Sequence, residues 1–185
     1  MERVVSELPE IVVTDHDTCA EVLTNGECYD DAEDAIITGP FDNVISIVGT
    51  WSADPEDTDP PGGWDVWEAL DARKLRLVFD DVLEDTAHGD APNATDVQEI
   101  IDFADGIGTG RTIIHCAAGI SRSTAAALIV IAKLLGPYRE DAAIDHLCDI
   151  KGNLRPHAGM VEMADELLGL EGRLFTAYVA VWGAP

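Results

Sequence analysis

Residues 112–123 of this chain read TIIHCAAGISRS, and this stretch decides the fold. Its first three residues are β-branched and predict a short buried strand. The segment 121–135 is rich in Ala, Leu and Ile and predicts a long buried helix. Cys116 therefore lies where a buried strand ends, and Arg122 lies in the first turn of the helix.

The loop between Cys116 and the helix is suited to holding an anion. Successive backbone N–H groups can turn inward as an anion-binding nest, which the free amides of the helix N-terminus continue. Gly119 permits backbone angles that a side chain would forbid, and the alanines before it are too small to block the cradle. The expected phosphate-binding amides belong to Ala117, Ala118, Gly119, Ile120, Ser121 and Arg122.

Three side chains of the stretch carry the chemistry of nucleophilic attack. The positive field of the loop favours the thiolate form of Cys116, which is the nucleophilic form. Arg122 is planar and permanently charged, so it can bind two phosphate oxygens at once. Ser123 can offer its hydroxyl to the thiolate when that sulfur is the leaving group.

The pattern His115-Cys116, five residues, then Arg122-Ser123 resembles the signature of the cysteine-based protein tyrosine phosphatases, in the dual-specificity branch. The resemblance implies hydrolysis of phosphomonoesters through a phosphocysteine on Cys116, with Arg122 binding the phosphate. His115 would support the loop. It implies no cofactor and no metal, because the loop itself supplies the positive field.

The resemblance extends beyond the signature. Residues 44–48 are similar to an early strand of this family, and residues 96–105 to the helix that leads into its catalytic strand. Residues 155–170 resemble a tail found in small bacterial members, where a Pro-Asn pair supports the phosphate loop. This chain has Pro156-His157 instead, so His157 is either a weaker support or only a polar residue beside a helix.

The family also uses an aspartate as general acid, on a loop that follows a strand some thirty-odd residues before the cysteine. Residues 75–79 alternate as a strand does, and an acidic loop follows them. Asp81 is our expected general acid, and Asp80 and Asp85 are its competitors on the same loop.

The rest of the chain alternates strands and helices. Segments 10–14, 44–48, 75–79 and 112–114 read as strands, with helices or loops between them. This pattern predicts the α/β class, with a central, mostly parallel sheet of about four to five strands and helices on both faces, as in the dual-specificity phosphatases. At 185 residues with 46% apolar content, residues 1–185 are expected to form a single phosphatase domain.

The charge of the chain limits its partners. The formal net charge is −25, with only three lysines, so we expect neither nucleic acid nor an anionic membrane as a general partner. No apolar run reaches the ~18 residues of a membrane span, and the N-terminus lacks the pattern of a signal peptide. Four cysteines without framework spacing fit a reducing cytoplasm. The expected partner is a phosphorylated protein or a small phosphoester.

Two other functions remain open at this level. One is a phospho-binding module with little turnover, which would bind phosphopeptides tightly without hydrolysing them. The other is different chemistry on a related loop, as in sulfurtransferases or arsenate reductases. Persulfide formation with thiosulfate would identify a sulfurtransferase, and an arsenate reductase would need a resolving cysteine, for which Cys148 is the only plausible residue.

Overall fold

The computed structural model describes residues 8–31, 33–50, 58–87 and 89–185. Within these ranges the chain folds as alternating strands and helices. The strands are β1 (Ile11–Thr14), β2 (Glu27–Asp30), β3 (Ala35–Thr38), β4 (Asn43–Val48), β5 (Arg73–Val78) and β6 (Thr112–His115). The helices are α1 (His16–Asn25), α2 (Gly63–Ala69), α3 (Ala94–Ala104), α4 (Arg122–Leu135), α5 (Glu140–Ile150), α6 (Ala158–Leu167) and α7 (Arg173–Trp182).

Four strands form the central sheet, in the order β1-β6-β4-β5. Every neighbouring pair is parallel, and Ile114 of β6 is in register with Val13 of β1 and Ile45 of β4. These are the four strands predicted from the sequence, so the expected α/β class with a parallel sheet is confirmed. Cys116 follows β6 directly, at the carboxyl edge where parallel sheets bind ligands.

Helices cover both faces of this sheet, and its inner strands β4 and β6 are accordingly buried on both sides. Ile45, Ile47 and Ile114 point to the face that α3 to α7 cover. Val44 and Ile113 point to the opposite face, where they pack with residues of α1 and α2. All six residues of β4 are buried, as expected of a central strand with helices on both sides.

A second, two-stranded sheet lies outside the sequence-based expectations. β2 and β3 pair antiparallel, with Cys28 opposite Ile37. In the sequence, residues 35–37 form only a short apolar patch. Both strands have four residues and β3 is largely exposed, so neither carries the buried apolar run by which the central strands were recognised.

Helix α4 is the core of the larger layer. Every residue from Arg122 to Ala132 is buried. The C-terminal segment forms α7, which buries Leu174 and Tyr178. None of the helices in the described residues could serve as a transmembrane span, because they are too short or insufficiently apolar.

Candidate active site

The candidate nucleophile lies in the loop that joins β6 to α4, residues 116–121, which we call the phosphate loop. Cys116 is only 2% exposed, and its Sγ atom lies 3.2 Å from the Ser123 hydroxyl. Ser123 is on the first turn of α4, so the strand–loop–helix geometry brings together two residues that are seven positions apart. The hydroxyl can donate a hydrogen bond to a thiolate, as the sequence suggested.

Gly119 fixes the course of this loop. Its φ is +68°, a conformation that side chains rarely adopt. A Cβ atom built there would lie 2.7 Å from both the backbone nitrogen of Asp15 and the carbonyl carbon of Thr14. The loop therefore packs directly against the end of β1, and only glycine fits this position.

Arg122 is a buried cation beneath the loop. Its side chain is 6% exposed, and Nη1 donates a hydrogen bond to the Phe79 carbonyl at 2.7 Å. Among the described residues, no hydrogen-bond acceptor reaches its Nε atom, which is also buried. Because an unpaired buried donor is costly, this guanidinium is prepared for an anion that the protein does not itself supply.

His115 is the last residue of β6 and lies directly before the loop. Its Nε2 atom lies 2.8 Å from the Ser46 hydroxyl of β4. Its ring packs edge-on against the His16 ring, with 5.2 Å between the two ring centroids. Complete burial lowers the pKa of His115 to about 3, so the ring is neutral at physiological pH. A neutral ring adds no charge beside the thiol.

Of the three candidate acids, Asp81 is the one in contact with the phosphate loop. Its Oδ1 atom accepts a hydrogen bond of 2.6 Å from the Ser121 hydroxyl. The side chain is 45% exposed, so its carboxyl group is partly in contact with solvent.

Asp80 and Asp85 hold the acidic loop itself. Asp80 accepts hydrogen bonds from the backbone amides of Thr50 (3.1 Å) and Asp90 (2.9 Å), and from the Thr50 hydroxyl. Burial raises the pKa of Asp80, but these hydrogen bonds and nearby Arg122 outweigh burial and leave its pKa below the ordinary value. Asp85 accepts a hydrogen bond from the Ala91 amide at 2.9 Å.

His157 connects three parts of the site. Its Nδ1 atom accepts a hydrogen bond from the Met160 amide at 3.3 Å and so caps α6. That assigns the proton to Nε2, which donates to the Val82 carbonyl at 3.0 Å. The backbone amide of His157 donates to the Ser121 carbonyl at 3.2 Å. The side chain therefore holds the acidic loop rather than the phosphate loop, a role that neither sequence-based expectation included.

Two further contacts of the loop are made between backbone atoms. The Arg155 amide donates to the Ile120 carbonyl at 2.9 Å, and the His16 amide donates to the Ala117 carbonyl at 3.3 Å. Carbonyls and amides leave no signal in the sequence, so these contacts could not have been predicted. Thr50 was missed for a related reason, because it lies in a loop without a motif.

Comparison with known proteins establishes the fold. The sequence matches no family model and no curated protein. Its structure is similar to that of the human tyrosine phosphatase-like serine/threonine/tyrosine-interacting protein, with 18% identity, a TM-score of 0.56, and 89% of this chain and 94% of that chain covered.

Two phosphatase structures show the same likeness. PTPMT1 is 14% identical, with a TM-score of 0.55 over 93% of this chain and 95% of that chain. DUSP15 is 17% identical, with a TM-score of 0.52 over 94% of this chain and 92% of that chain. This chain has the fold of the dual-specificity branch of the cysteine-based tyrosine phosphatases.

Proposed function

We propose that this chain, which has the dual-specificity phosphatase fold, is a single-domain phosphatase that hydrolyses phosphomonoesters through a phosphocysteine intermediate. The Cys116 thiolate attacks phosphorus, the Sγ–P bond forms, and the bond from phosphorus to the leaving oxygen breaks. Arg122 and the amides of residues 117–122 hold the equatorial oxygens, where charge develops. Asp81 gives its proton to the leaving oxygen.

The second half of the reaction uses the same groups. Asp81, now ionised, takes a proton from a water molecule that attacks phosphorus. The Sγ–P bond breaks, inorganic phosphate leaves, and Ser123 donates a hydrogen bond to the departing thiolate. The observation that carries the proposal is the loop between β6 and α4. At one end the Cys116 Sγ atom lies 3.2 Å from the Ser123 hydroxyl, and at the other Arg122 is buried with an Nε atom that has no partner in the described residues.

The contacts of the acidic loop support Asp81 as the general acid. A proton donor must be protonated near the working pH, and the lowered pKa of Asp80 opposes that. Asp85 is committed to the Ala91 amide. Asp81 alone of the three contacts a residue of the phosphate loop.

We further propose that the substrate is phosphotyrosine, with phosphoserine or phosphothreonine also accepted in a shallow site. PTPMT1 has been solved with PI(5)P, a phosphoinositide. This chain has Ala117, Ala118 and Ile120 at loop positions where lysines would meet additional phosphates, which argues against polyphosphorylated lipids.

A net charge of −25 argues against nucleic acid and anionic membranes as partners. Four free cysteines support a cytoplasmic location.

Hydrolysis of an aryl phosphate without metal, from pH 4.5 to 8, tests the proposal. We expect Cys116→Ser to abolish turnover and Asp81→Asn to lower kcat by about 10²- to 10⁴-fold with loss of the basic limb of the pH profile. Asp80→Asn and Asp85→Asn are the matched controls and should keep that limb. An inactive wild-type protein would contradict the proposal.

A phospho-binding role is the second candidate, and one observation favours it. The first structure described above is named as a phosphatase-like interacting protein, so the fold also occurs in a protein named for interaction. Tight binding of a phosphopeptide by wild-type protein, with no release of phosphate, would favour this role over hydrolysis.

A further inference from the structure

A cavity of about 250 Å³ adjoins the candidate active site. It shares Asp81 and Ser121 with that site, and Leu83, Pro156 and Ala158 contribute apolar wall. Arg155 also lines it. The cavity therefore combines apolar walls with one guanidinium, directly beside the place where a phosphate would bind.

The Arg155 side chain makes no hydrogen bond or ion pair within the described residues, and of the arginines and lysines there only Arg139 shares this. The side chain of Arg155 is exposed, and among the described residues no carboxylate lies within ion-pair distance of it. Four other cations are ion-paired, in Arg111–Glu10, Lys133–Asp105, Lys151–Asp30 and Arg173–Glu140. In a chain of net charge −25, an arginine without an acidic partner beside the phosphate loop is suited to binding an anionic group of a ligand.

The backbone of Arg155 is fixed against the phosphate loop. Its amide donates to the Ile120 carbonyl at 2.9 Å, so the side chain starts beside the residues that would hold the phosphate. An extended peptide advances by about 3.3 Å per residue, so a residue one or two positions from a bound phosphoresidue can reach this neighbourhood.

We propose that Arg155 and this cavity bind the carboxylate of an acidic residue that lies next to the phosphorylated residue of a peptide substrate. The planar guanidinium matches a carboxylate with two parallel hydrogen bonds. The apolar walls accommodate the methylene groups of that side chain. Asp81 also lines the cavity, and its Oδ1 atom already accepts a hydrogen bond from the Ser121 hydroxyl at 2.6 Å. The inference rests on the proposed function, which places the phosphate.

The test is a binding measurement with three phosphotyrosine peptides that carry Glu, Gln or Lys at the two positions on each side of the phosphotyrosine. The Cys116→Ser protein is used so that the peptides stay intact. We expect the Glu peptide to bind about fivefold more tightly than the Gln peptide, as one exposed ion pair of good geometry allows. The Lys peptide should bind most weakly, and added salt should reduce the Glu preference.

Two further variants of the Cys116→Ser protein test whether Arg155 causes the preference for the Glu peptide. Arg155→Gln should bring the Glu-to-Gln affinity ratio to about one. Arg139→Gln removes the same charge from another arginine without an ion pair among the described residues, and should keep the ratio. Arg139 precedes α5, beyond the far end of α4, whose 14 residues span about 21 Å from the phosphate loop.

The outcomes separate the inference from the proposed function. Equal affinities for the Glu and Gln peptides would overturn the inference, as would a ratio that survives Arg155→Gln or disappears equally in Arg139→Gln. Hydrolysis of an aryl phosphate by wild-type protein, measured in parallel, reports the proposed function. If the protein does not hydrolyse the aryl phosphate but the Glu-to-Gln affinity ratio depends on Arg155, then the inferred carboxylate binding is supported and the proposed hydrolytic function is contradicted.

Discussion

At the scale of single residues, the shape of the phosphate loop depends on the absence of a side chain at Gly119. We expect Gly119→Ala to lower kcat on an aryl phosphate by about 10²-fold, because the new Cβ would meet β1 at 2.7 Å and displace the loop. Steady-state kinetics with the purified variant measure this.

Gly108→Ala is the matched control for Gly119→Ala. Gly108 also has a positive φ, +62°, but nothing lies within 4 Å of a Cβ atom built there. It should cost about 1–2 kcal/mol of stability, as expected for an L-residue in this conformation, and leave kcat unchanged. Equal loss of activity in the two variants would contradict the close packing of the loop on β1.

The burial of His115 predicts a pH-dependent stability. The unfolded chain binds a proton at this residue below about pH 6.5, whereas the folded chain does so only near pH 3. Above pH 6.5 the ring is neutral in both the folded and the unfolded chain, so its burial does not lower the free energy of unfolding. As the pH falls from 6.5 towards 3, only the unfolded chain gains the proton, so the folded state loses stability relative to it. Between pH 7 and 4.5, wild type should lose on the order of 2 kcal/mol more free energy of unfolding than His115→Gln.

Urea unfolding of both proteins at the two pH values measures this difference. Carboxylates with lowered pKa, such as Asp80, also weaken the fold in acid, but they are present in both proteins. Only the difference between the proteins reports His115. Identical pH dependence would mean that the ring is not held neutral.

At the scale of elements, His157 joins α6 to the acidic loop, and two variants separate its roles. His157→Asn should keep the cap of α6, because Asn accepts from helix amides, but lose the hydrogen bond to the Val82 carbonyl. His157→Ala should lose both and cost about 1 kcal/mol of stability.

The kinetic readout for these variants is the dependence of kcat on the leaving group. If His157 positions Asp81, both variants should be slow with phosphoesters whose leaving groups need protonation and nearly normal with activated aryl phosphates. Equal slowing with all leaving groups would indicate a purely structural role for His157.

The same elements show what could be read from the sequence. The inner strands β4 and β6 were predicted from apolar runs that are buried on both faces, and the strand at 75–79 from its alternation. Cys116, Arg122 and Ser123 could be proposed together because one short segment contains all three. The β2–β3 hairpin was missed because its strands are short and partly exposed. The His157–Val82 contact was missed because its acceptor is a backbone carbonyl 75 positions away.

At the scale of the whole molecule, acidic repulsion predicts that salt stabilises the fold. A net charge of −25 opposes the compact state, and salt screens this repulsion. Raising NaCl from about 0.05 to 1 M, where the Debye length falls to about 3 Å, should raise Tm by a few degrees, or about 1 kcal/mol in stability.

Thermal unfolding at increasing NaCl tests this, with a neutral osmolyte series at matched osmolality as the control. A Tm that is constant or falls with salt would mean that the ion pairs, such as Arg111–Glu10, outweigh the repulsion.

The pairing of β1 with β6 also determines when the site can form. Glu10 and Arg111 are ion-paired across 101 positions of the chain, and Gly119 needs the end of β1 as its packing surface. During synthesis at the ribosome, β1 therefore cannot pair with β6 until more than half of the polypeptide has been made. Contacts of such long sequence separation slow folding, so the phosphate loop should take its shape late, and nascent chains that end before α4 should bind no phosphate.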